Sequence, residues 1–260
     1  MDKPTKVLLE KIPDGLVVSR QKLREMGFDK PAIDYFLRSG KLTPVSHGAY
    51  RRPGPPLKWE HLVYSAVQIG HNVHVGARSA LDLSGFAHFH PLGGVQQIHL
   101  FCEEKLPNWL ITLKKPVVEM VAHQLKIFTD PPVASVIHRP FGHWDWPIPF
   151  ATVELALLEI LDAVTDEASF RMVDKYFKAA TTLRPQLLNQ LLSACKKVQV
   201  NRLFLWFARR HNLQCLDSLN VSIINLGKGK RMIIRSGSLD KEFQITVPKE
   251  MANGTQPDFF

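Results

Sequence analysis

Three runs of apolar residues at helical spacing open the chain, and each run ends at a turn that contains glycine or proline. Ser19 and Asp29 stand at the start of the second and third runs, where a side-chain oxygen can cap a helix. The pattern predicts three short helices, of which the second and third form a helix-turn-helix. The apolar positions are Val7, Leu8 and Ile12, then Leu23 and Met26, and then Ile33, Phe36 and Leu37.

Behind the third helix the pattern changes to two short strands, residues 41–45 and 48–52, with a turn between them at 46–48. A helix-turn-helix followed by such a hairpin is typical of a winged helix, in which the hairpin is the wing. Residues 53–56 then read Pro-Gly-Pro-Pro, a stiff connector. We therefore expect a winged-helix DNA-binding domain over residues 1–54 and a second domain over residues 55–260.

The second domain mixes both kinds of pattern. Helical spacing at 59–69 and 77–83 alternates with strand-like runs, and four amphipathic helices follow from Thr152 onwards. The fold class is thus α+β: an N-terminal winged helix-turn-helix, then a larger mixed α+β domain with a helical bundle portion. The predicted strands are 73–75, 97–101, 116–121, 125–128 and 133–138, with three more at 221–225, 232–235 and 243–247.

The formal net charge is +9, and the basic residues concentrate towards the two ends of the chain. Residues 1–54 hold eleven Lys/Arg against six Asp/Glu, and residues 196–241 hold ten against two. Such regions favour a polyanionic partner, although a solvated surface explains the same charges. The sequence has no apolar run long enough to span a membrane or to act as a signal peptide, so we expect a cytoplasmic protein.

Metal and disulfide chemistry find little support in the sequence. Cys102, Cys195 and Cys215 are odd in number and far apart, so we expect reduced, mostly buried thiols. A zinc site needs about four convergent ligands, and no cysteine joins the histidines. We expect no metal and no cofactor. The histidines considered are His71, His74, His88, His90 and His99.

If the apolar residues of the third helix face the core, its polar residues face outward. This outer side is the one that could contact DNA. The major groove admits a helix, and cations on a wing or a neighbouring helix can reach phosphates. A winged helix used only for protein contacts remains the alternative. The candidate DNA-binding residues are Lys30, Asp34, Tyr35 and Arg38 on the third helix, Lys22 and Arg24 on the second, and His47, Arg51 and Arg52 in the wing.

A family resemblance follows from segments spread along the chain. Residues 40–42 and 47–54 look like the end of the winged helix of the AbiEi antitoxins, from bacterial type IV toxin–antitoxin and phage-abortive-infection systems. Further segments resemble the same family in order along the chain: residues 59–70, 75–81, 88–94, 106–110, 153–159, 200–204, 226–231 and 239–241.

The resemblance implies a repressor that binds inverted repeats of double-stranded DNA in its own promoter through the N-terminal domain. It also implies that the C-terminal domain counteracts a nucleotidyltransferase-like toxin, directly or indirectly. The alternative from the residues themselves is a winged-helix regulator whose large domain senses a small ligand. Oligomeric state stays open, because two monomers could fill an inverted repeat.

The C-terminal basic residues form a second candidate site. One hypothesis is that they form a basic face, which contacts flanking DNA, an acidic patch on the toxin, or the toxin's nucleic-acid substrate. The alternative is that they are scattered, solvated cations. These residues are Lys196, Lys197, Arg202, Arg209, Arg210, Lys228, Lys230, Arg231 and Arg235.

The sequence carries no recognised catalytic motif. Residues 227–230 lack the spacing of a phosphate-binding Walker loop, and no nucleophile elbow is present. Glu154 and Glu159 are five positions apart, on different faces of a helix, which argues against shared acid–base work. We therefore expect a regulator rather than an enzyme. A nuclease that uses Asp82, Glu103, Glu104 or Glu119 is the weaker alternative.

Overall fold

The computed structural model describes residues 3–86, 97–112 and 118–252. Its N-terminal part has the predicted winged-helix order of helices and strands. The three strands form an antiparallel sheet in the order β1-β3-β2. The elements are α1 (Lys3–Lys11), β1 (Val18–Ser19), α2 (Arg20–Glu25), α3 (Lys30–Arg38), β2 (Thr43–Ser46) and β3 (Ala49–Arg51).

The predicted helix boundaries of the helix-turn-helix are confirmed. The Ser19 hydroxyl and the Asp29 carboxylate each accept a hydrogen bond from the amide three residues later, at 3.0 and 2.9 Å. Gly27, after α2, has a φ of +92°, a left-handed conformation that a side chain would strain. Ile33 and Phe36 are fully buried, so α3 has a fixed inward side.

Helix α4 (Trp59–Gln68) packs on the winged helix beyond the proline-rich connector. The buried hydroxyl of Ser65 accepts a hydrogen bond from the Val17 amide at 2.9 Å. A Cβ atom added to Gly15, whose φ is +91°, would lie 2.3 Å from the His61 ring. The compact unit that contains the winged helix therefore runs past residue 54, whereas the sequence placed a boundary there. Its described residues fall within Met1–Val75, Gly93–Gln124 and His138–Pro149.

A five-stranded sheet follows, with the strand order β6-β5-β4-β8-β7. β4 and β5 are antiparallel, and β5 and β6 are parallel. The elements are β4 (Val73–Val75), α5 (Ala77–Leu81), β5 (Gln97–Cys102), α6 (Asn108–Thr112), β6 (Glu119–Gln124), β7 (Val136–Phe141) and β8 (Trp146–Ala151).

The strand predictions in this region are partly wrong. Residues 125–128 form no strand, and Phe128 makes only an isolated bridge to Cys195. β8 was not predicted, because Pro147 and Pro149 interrupt its apolar pattern and prolines argue against a strand. The predicted strand at 116–121 begins in the structure at Glu119, and residues 116 and 117 lie outside the described part of the chain.

The second compact unit holds the four predicted amphipathic helices, which are confirmed. Its core is aromatic: the ring centroid of Phe207 lies 4.7 Å from that of Phe170 and 4.9 Å from that of Phe177. The helices are α7 (Val153–Asp162), α8 (Glu167–Ala179), α9 (Pro185–Ala194) and α10 (Val198–Arg210). β9 (Ser238–Asp240), antiparallel β10 (Ile245–Val247) and α11 (Lys249–Ala252) follow.

Two of the three strands predicted near the end of the chain are wrong. Residues Val221–Ile223 form a short 3-10 helix, because the Asn220 side chain accepts a hydrogen bond from the Ser222 amide and starts a turn. At 232–235 the amides of Ile233 and Ile234 both donate to the side-chain hydroxyl of Thr246 in β10, rather than to backbone carbonyls as in a strand ladder.

Buried carboxylates connect separate elements of the second unit. Glu154, 3 % exposed, forms an ion pair of 2.8 Å with Arg184. Burial opposes its ionisation, but the hydrogen bonds from Arg184 outweigh burial and lower the pKa of Glu154. Glu159 accepts a hydrogen bond of 2.7 Å from the amide of Ala77. The two glutamates therefore have separate partners, as the helical spacing predicted.

All three cysteines are free and buried, as predicted. Burial raises the pKa of each thiol, that of Cys195 to about 11. No helix in the described ranges is long and apolar enough to cross a membrane.

Candidate nucleic-acid interface

The outer side of α3 carries the polar residues that the sequence placed there. Lys30 and Arg38 are exposed, and Tyr35 is 39 % exposed in spite of its large ring. Asp34 is half-buried. α3 therefore presents two cations and one aromatic ring to solvent, on a helix whose opposite side is fixed in the core.

Asp34 is held by the helix before it. Its carboxylate pairs with the Arg20 guanidinium, and its backbone carbonyl accepts a hydrogen bond of 3.3 Å from Arg38 Nε. Arg20 is the first residue of α2, so this ion pair joins the two helices of the helix-turn-helix. The role of Arg20 could not be predicted from the sequence, because fourteen positions separate the partners and no local spacing relates them.

Lys41 extends the cationic side of α3. Its Nζ atom donates to the Tyr35 hydroxyl at 2.9 Å and lies 4.6 Å from the centroid of the same ring. This contact orients the Tyr35 phenol and places a positive charge against it. The sequence pattern predicts Lys41 in a strand and gives it no role in the site.

The remaining candidates on α2 and in the wing differ in their surroundings. Arg24 and His47 are exposed. Lys22 is half-buried, and its ammonium lies 3.5 Å from the Glu25 carboxylate.

The two wing arginines are engaged within the protein. Arg51 donates to the backbone carbonyls of Gly54 and Pro55, at 3.0 and 2.6 Å, and so braces the proline-rich connector. Arg52 donates to the carbonyl of Ile12 at 3.0 Å and forms an ion pair of 3.2 Å with Asp14. Only 21 % of the Arg52 side chain is exposed. These contacts give Arg52 a clear role at the end of α1 that the sequence had not suggested.

The C-terminal basic residues do not form a single solvent face. Arg202 corrects the prediction most clearly: it is 4 % exposed, because its guanidinium donates to carbonyls inside the second unit. Three others are neutralised by carboxylates: Lys197 pairs with Asp162, Arg209 with Glu242, and Arg210 with Asp174. Lys196, Lys228, Lys230, Arg231 and Arg235 are exposed.

A cavity of about 410 Å³ opens on one side of α8. Tyr176 lies against it and donates a hydrogen bond of 2.7 Å to the buried Asp82. Burial and Asp82 both raise the pKa of the Tyr176 phenol, which therefore stays protonated. Three cations and one carboxylate line this α8 cavity, together with two apolar side chains. The lining residues are Arg78, Glu167, Ala168, Arg171, Met172, Lys175 and Tyr176.

The described residues contain no group of three or more histidines, cysteines or carboxylates that could hold a metal ion. His99 and His123 share a hydrogen bond of 2.8 Å between ring nitrogens. His88 and His90 lie outside the described part of the chain. Three of the four candidate nuclease carboxylates have partners of their own: Asp82 accepts from Tyr176, Glu103 from Asn72, and Glu119 from Gln97. The fourth, Glu104, is exposed.

Comparison with known proteins identifies a similar fold and a family. No curated protein sequence matches it. The crystal structure of the RV2827C protein from Mycobacterium tuberculosis is similar in fold, with a TM-score of 0.57 at 17 % identity. The match covers 93 % of this chain and 88 % of that one.

Two family profiles match the sequence. Residues 1–92 match the N-terminal domain of the AbiEi antitoxin transcriptional regulators, and residues 95–248 match the transcriptional regulator, AbiEi antitoxin, of type IV toxin–antitoxin systems. The predicted resemblance is therefore confirmed, and the chain belongs to the AbiEi family of antitoxin transcriptional regulators.

Proposed function

We propose that this regulator represses its own operon by binding inverted repeats in the promoter through the outer side of α3. The observation that carries the proposal is the capped, inwardly fixed helix that presents Lys30, Tyr35 and Arg38, joined by Lys41. Side chains on such a helix can contact base edges in the major groove. The protein would act in the cytoplasm, where its operator is.

Base contacts and phosphate contacts can be separated by substitution. Arg38→Gln or Tyr35→Phe should change the preferred sequence, measured by selection from a random DNA pool. Arg24→Gln should weaken binding to all sequences alike, because phosphates carry no sequence information. Equal losses on operator and random DNA for all three variants would contradict the assignment of α3 to the groove.

We further propose that the C-terminal domain counteracts a nucleotidyltransferase-like toxin, without catalysis by the chain itself. The exposed cations Lys228, Lys230 and Arg231 are the strongest candidates for this role, and Lys196 and Arg235 are further exposed candidates. Replacing the three by glutamate should abolish protection of cells that express the toxin, while binding to the promoter persists. Full protection by the triple variant would reject these residues.

A second function is favoured by the α8 cavity. Its volume is that of a small-molecule site, and three cations line it. Arg78 and Arg171 pair with carboxylates, so an anionic ligand would compete with these carboxylates for them. In this alternative the large domain senses a metabolite and α3 binds DNA in response. A rise in the unfolding temperature with a phosphorylated or carboxylated metabolite, lost in Lys175→Gln and kept in Lys178→Gln, would favour this function.

A further inference from the structure

Asp34 places a negative charge between two cations on the outer side of α3. Lys30, Asp34 and Arg38 follow one another at intervals of four positions, so they lie in one stripe along the helix. The carboxylate stands in the middle of this stripe, one turn from a cation on each side. DNA phosphates would repel an uncompensated negative charge at this position, so the surroundings of the carboxylate decide whether α3 can approach DNA.

The Arg20 guanidinium compensates the charge of Asp34. Its Nη2 atom donates to Asp34 Oδ1 across the helix-turn-helix. The Arg20 Nε atom is buried without a hydrogen-bond partner, and among the described residues Arg20 makes no other hydrogen bond or ion pair. Asp34 is thus the polar partner to which this guanidinium is committed, and the ion pair fixes the orientation of the carboxylate.

The ion pair leaves the second carboxylate oxygen available. Arg20 donates to Oδ1, and in the described ranges no donor lies within hydrogen-bond distance of Asp34 Oδ2. The contact from Arg38 Nε goes to the backbone carbonyl of Asp34 and does not use the carboxylate. The Asp34 side chain is 38 % exposed. Asp34 Oδ2 is therefore an oriented acceptor on the outer side of α3.

A carboxylate oxygen in the major groove matches one base edge better than the others. Guanine presents two acceptors there, N7 and O6, and thymine presents the acceptor O4, so both would repel a group that only accepts. Adenine presents an amino donor beside the acceptor N7, a pair of groups that suits an amide side chain. Cytosine presents its exocyclic amino group alone, and aspartate is a side chain that accepts from it.

We infer that Asp34 determines the base specificity of α3 at one cytosine, by accepting a hydrogen bond from the cytosine amino group, and that Arg20 positions it. The inference rests on the proposed binding of promoter DNA by α3, and it names a base that α3 reads. Arg20 acts through Asp34: it orients the carboxylate and offsets the repulsion between that carboxylate and the phosphates.

The first test selects binding sites for the full chain from a pool of random duplex DNA. The unaltered protein should enrich a consensus that contains a cytosine, and Asp34→Ala should no longer select that cytosine. The ratio of consensus to random affinity should fall on the order of 10-fold in Asp34→Ala. Affinity for random DNA should stay the same or rise, because a negative charge is removed. Glu10→Gln, at an exposed acid of α1, is the matched control and should keep the consensus and the ratio.

A second variant and a modified base make the test specific to the amino group. Asp34→Asn keeps the shape of the side chain and an acceptor for Arg20, and its added amide donor should move the preference towards adenine. Replacing the selected cytosine by a pyrimidinone that lacks only the amino group should weaken binding of the unaltered protein on the order of 10-fold, and should leave Asp34→Ala unaffected. Fluorescence anisotropy measures both affinities, and unfolding temperatures show that each variant is folded.

Arg20→Gln tests the positioning role. It should lower the ratio of consensus to random affinity as Asp34→Ala does, and Arg20→Lys, which keeps a charged donor, should restore most of that ratio. An ion pair with a purely structural role would instead weaken binding to consensus and random DNA alike, and this result would overturn the inference. An equal penalty of the pyrimidinone in the unaltered protein and in Asp34→Ala would overturn it as well.

Arg38→Gln separates failure of the inference from failure of the proposed function. A consensus that changes in Arg38→Gln and stays the same in Asp34→Ala would reject only the role of Asp34. An unaltered protein that enriches no consensus would reject promoter binding by α3, and the inference with it.

Discussion

Arg52 is a wing residue whose guanidinium is engaged by partners within the protein. Its ion pair with Asp14 and its hydrogen bond to Ile12 join the wing to the end of α1. We expect Arg52→Gln to lower the free energy of unfolding by about 1–2 kcal/mol through these lost bonds. The salt slope of DNA binding should change by less than the value of about 0.9 that one phosphate contact contributes.

The matched variant for Arg52 is Arg24→Gln. Arg24 is exposed on α2, so this change should reduce the salt slope and leave stability nearly unaltered. Denaturant unfolding and anisotropy titrations measure the two quantities. If Arg52→Gln instead reduced the salt slope by about 0.9 and left stability unchanged, Arg52 would be a phosphate-contacting residue.

The Glu154 carboxylate makes stability depend on pH in a definite direction. Its pKa in the folded protein lies below the ordinary value of 4.5, so the folded state holds the charged form more strongly than the unfolded state does. The stabilisation is complete above pH 4.5 and is lost as the pH falls through the lowered pKa.

Glu154→Gln should therefore cost about 1–3 kcal/mol at neutral pH, and this difference from the unaltered protein should shrink in acid. Urea unfolding at a series of pH values measures it. Glu10→Gln, at an exposed acid of α1, is the control and should follow the unaltered protein. A constant difference at all pH values would show that the ion pair with Arg184 is not its source.

At the scale of the element, the Asp29 cap determines where α3 begins. Asp29→Ala removes the side-chain acceptor of the Ala32 amide and should cost about 1 kcal/mol of stability. Asp29→Ser keeps a capping oxygen and should recover most of the loss. Calorimetry of the two variants tests this, and equal stability of both would mean that the cap contributes nothing.

Local signals explain which elements could be predicted from the sequence. Caps, left-handed glycines and apolar spacing act within a few residues, so α2, α3 and the four helices from α7 to α10 were recognised. β8 was missed because its prolines break the strand pattern. Residues 232–235 look like a strand, but their amides bind the Thr246 hydroxyl, a partner that only the folded chain supplies.

The candidate sites also divide into features set by local sequence signals and features set by contacts in the folded chain. The outward residues of α3 follow from helical spacing alone. The ion pair of Arg20 with Asp34 and the burial of Arg202 depend on contacts between distant parts of the sequence, and a count of charges treats such residues as ordinary surface cations. The sequence therefore overestimated the C-terminal basic face and underestimated the support behind α3.

At the scale of the whole molecule, the winged helix is completed by a helix that follows the connector. Ser65 and His61 of α4 contact Val17 and Gly15, between α1 and the helix-turn-helix. We expect a fragment of residues 1–54 to unfold at a lower temperature than a fragment of residues 1–70. Circular dichroism during heating compares the two, and equal midpoints would support a domain boundary at residue 54.

The three buried thiols give the protein its own reporters of local opening. Cys102 lies in β5 of the first compact unit, while Cys195 and Cys215 belong to the second. An alkylating reagent attacks thiolates, and burial with a raised pKa keeps them scarce until the surrounding structure opens. The order in which mass spectrometry detects labelled cysteines would therefore reveal which compact unit opens first. Repeating the labelling with operator DNA would show whether DNA slows the opening of that unit alone.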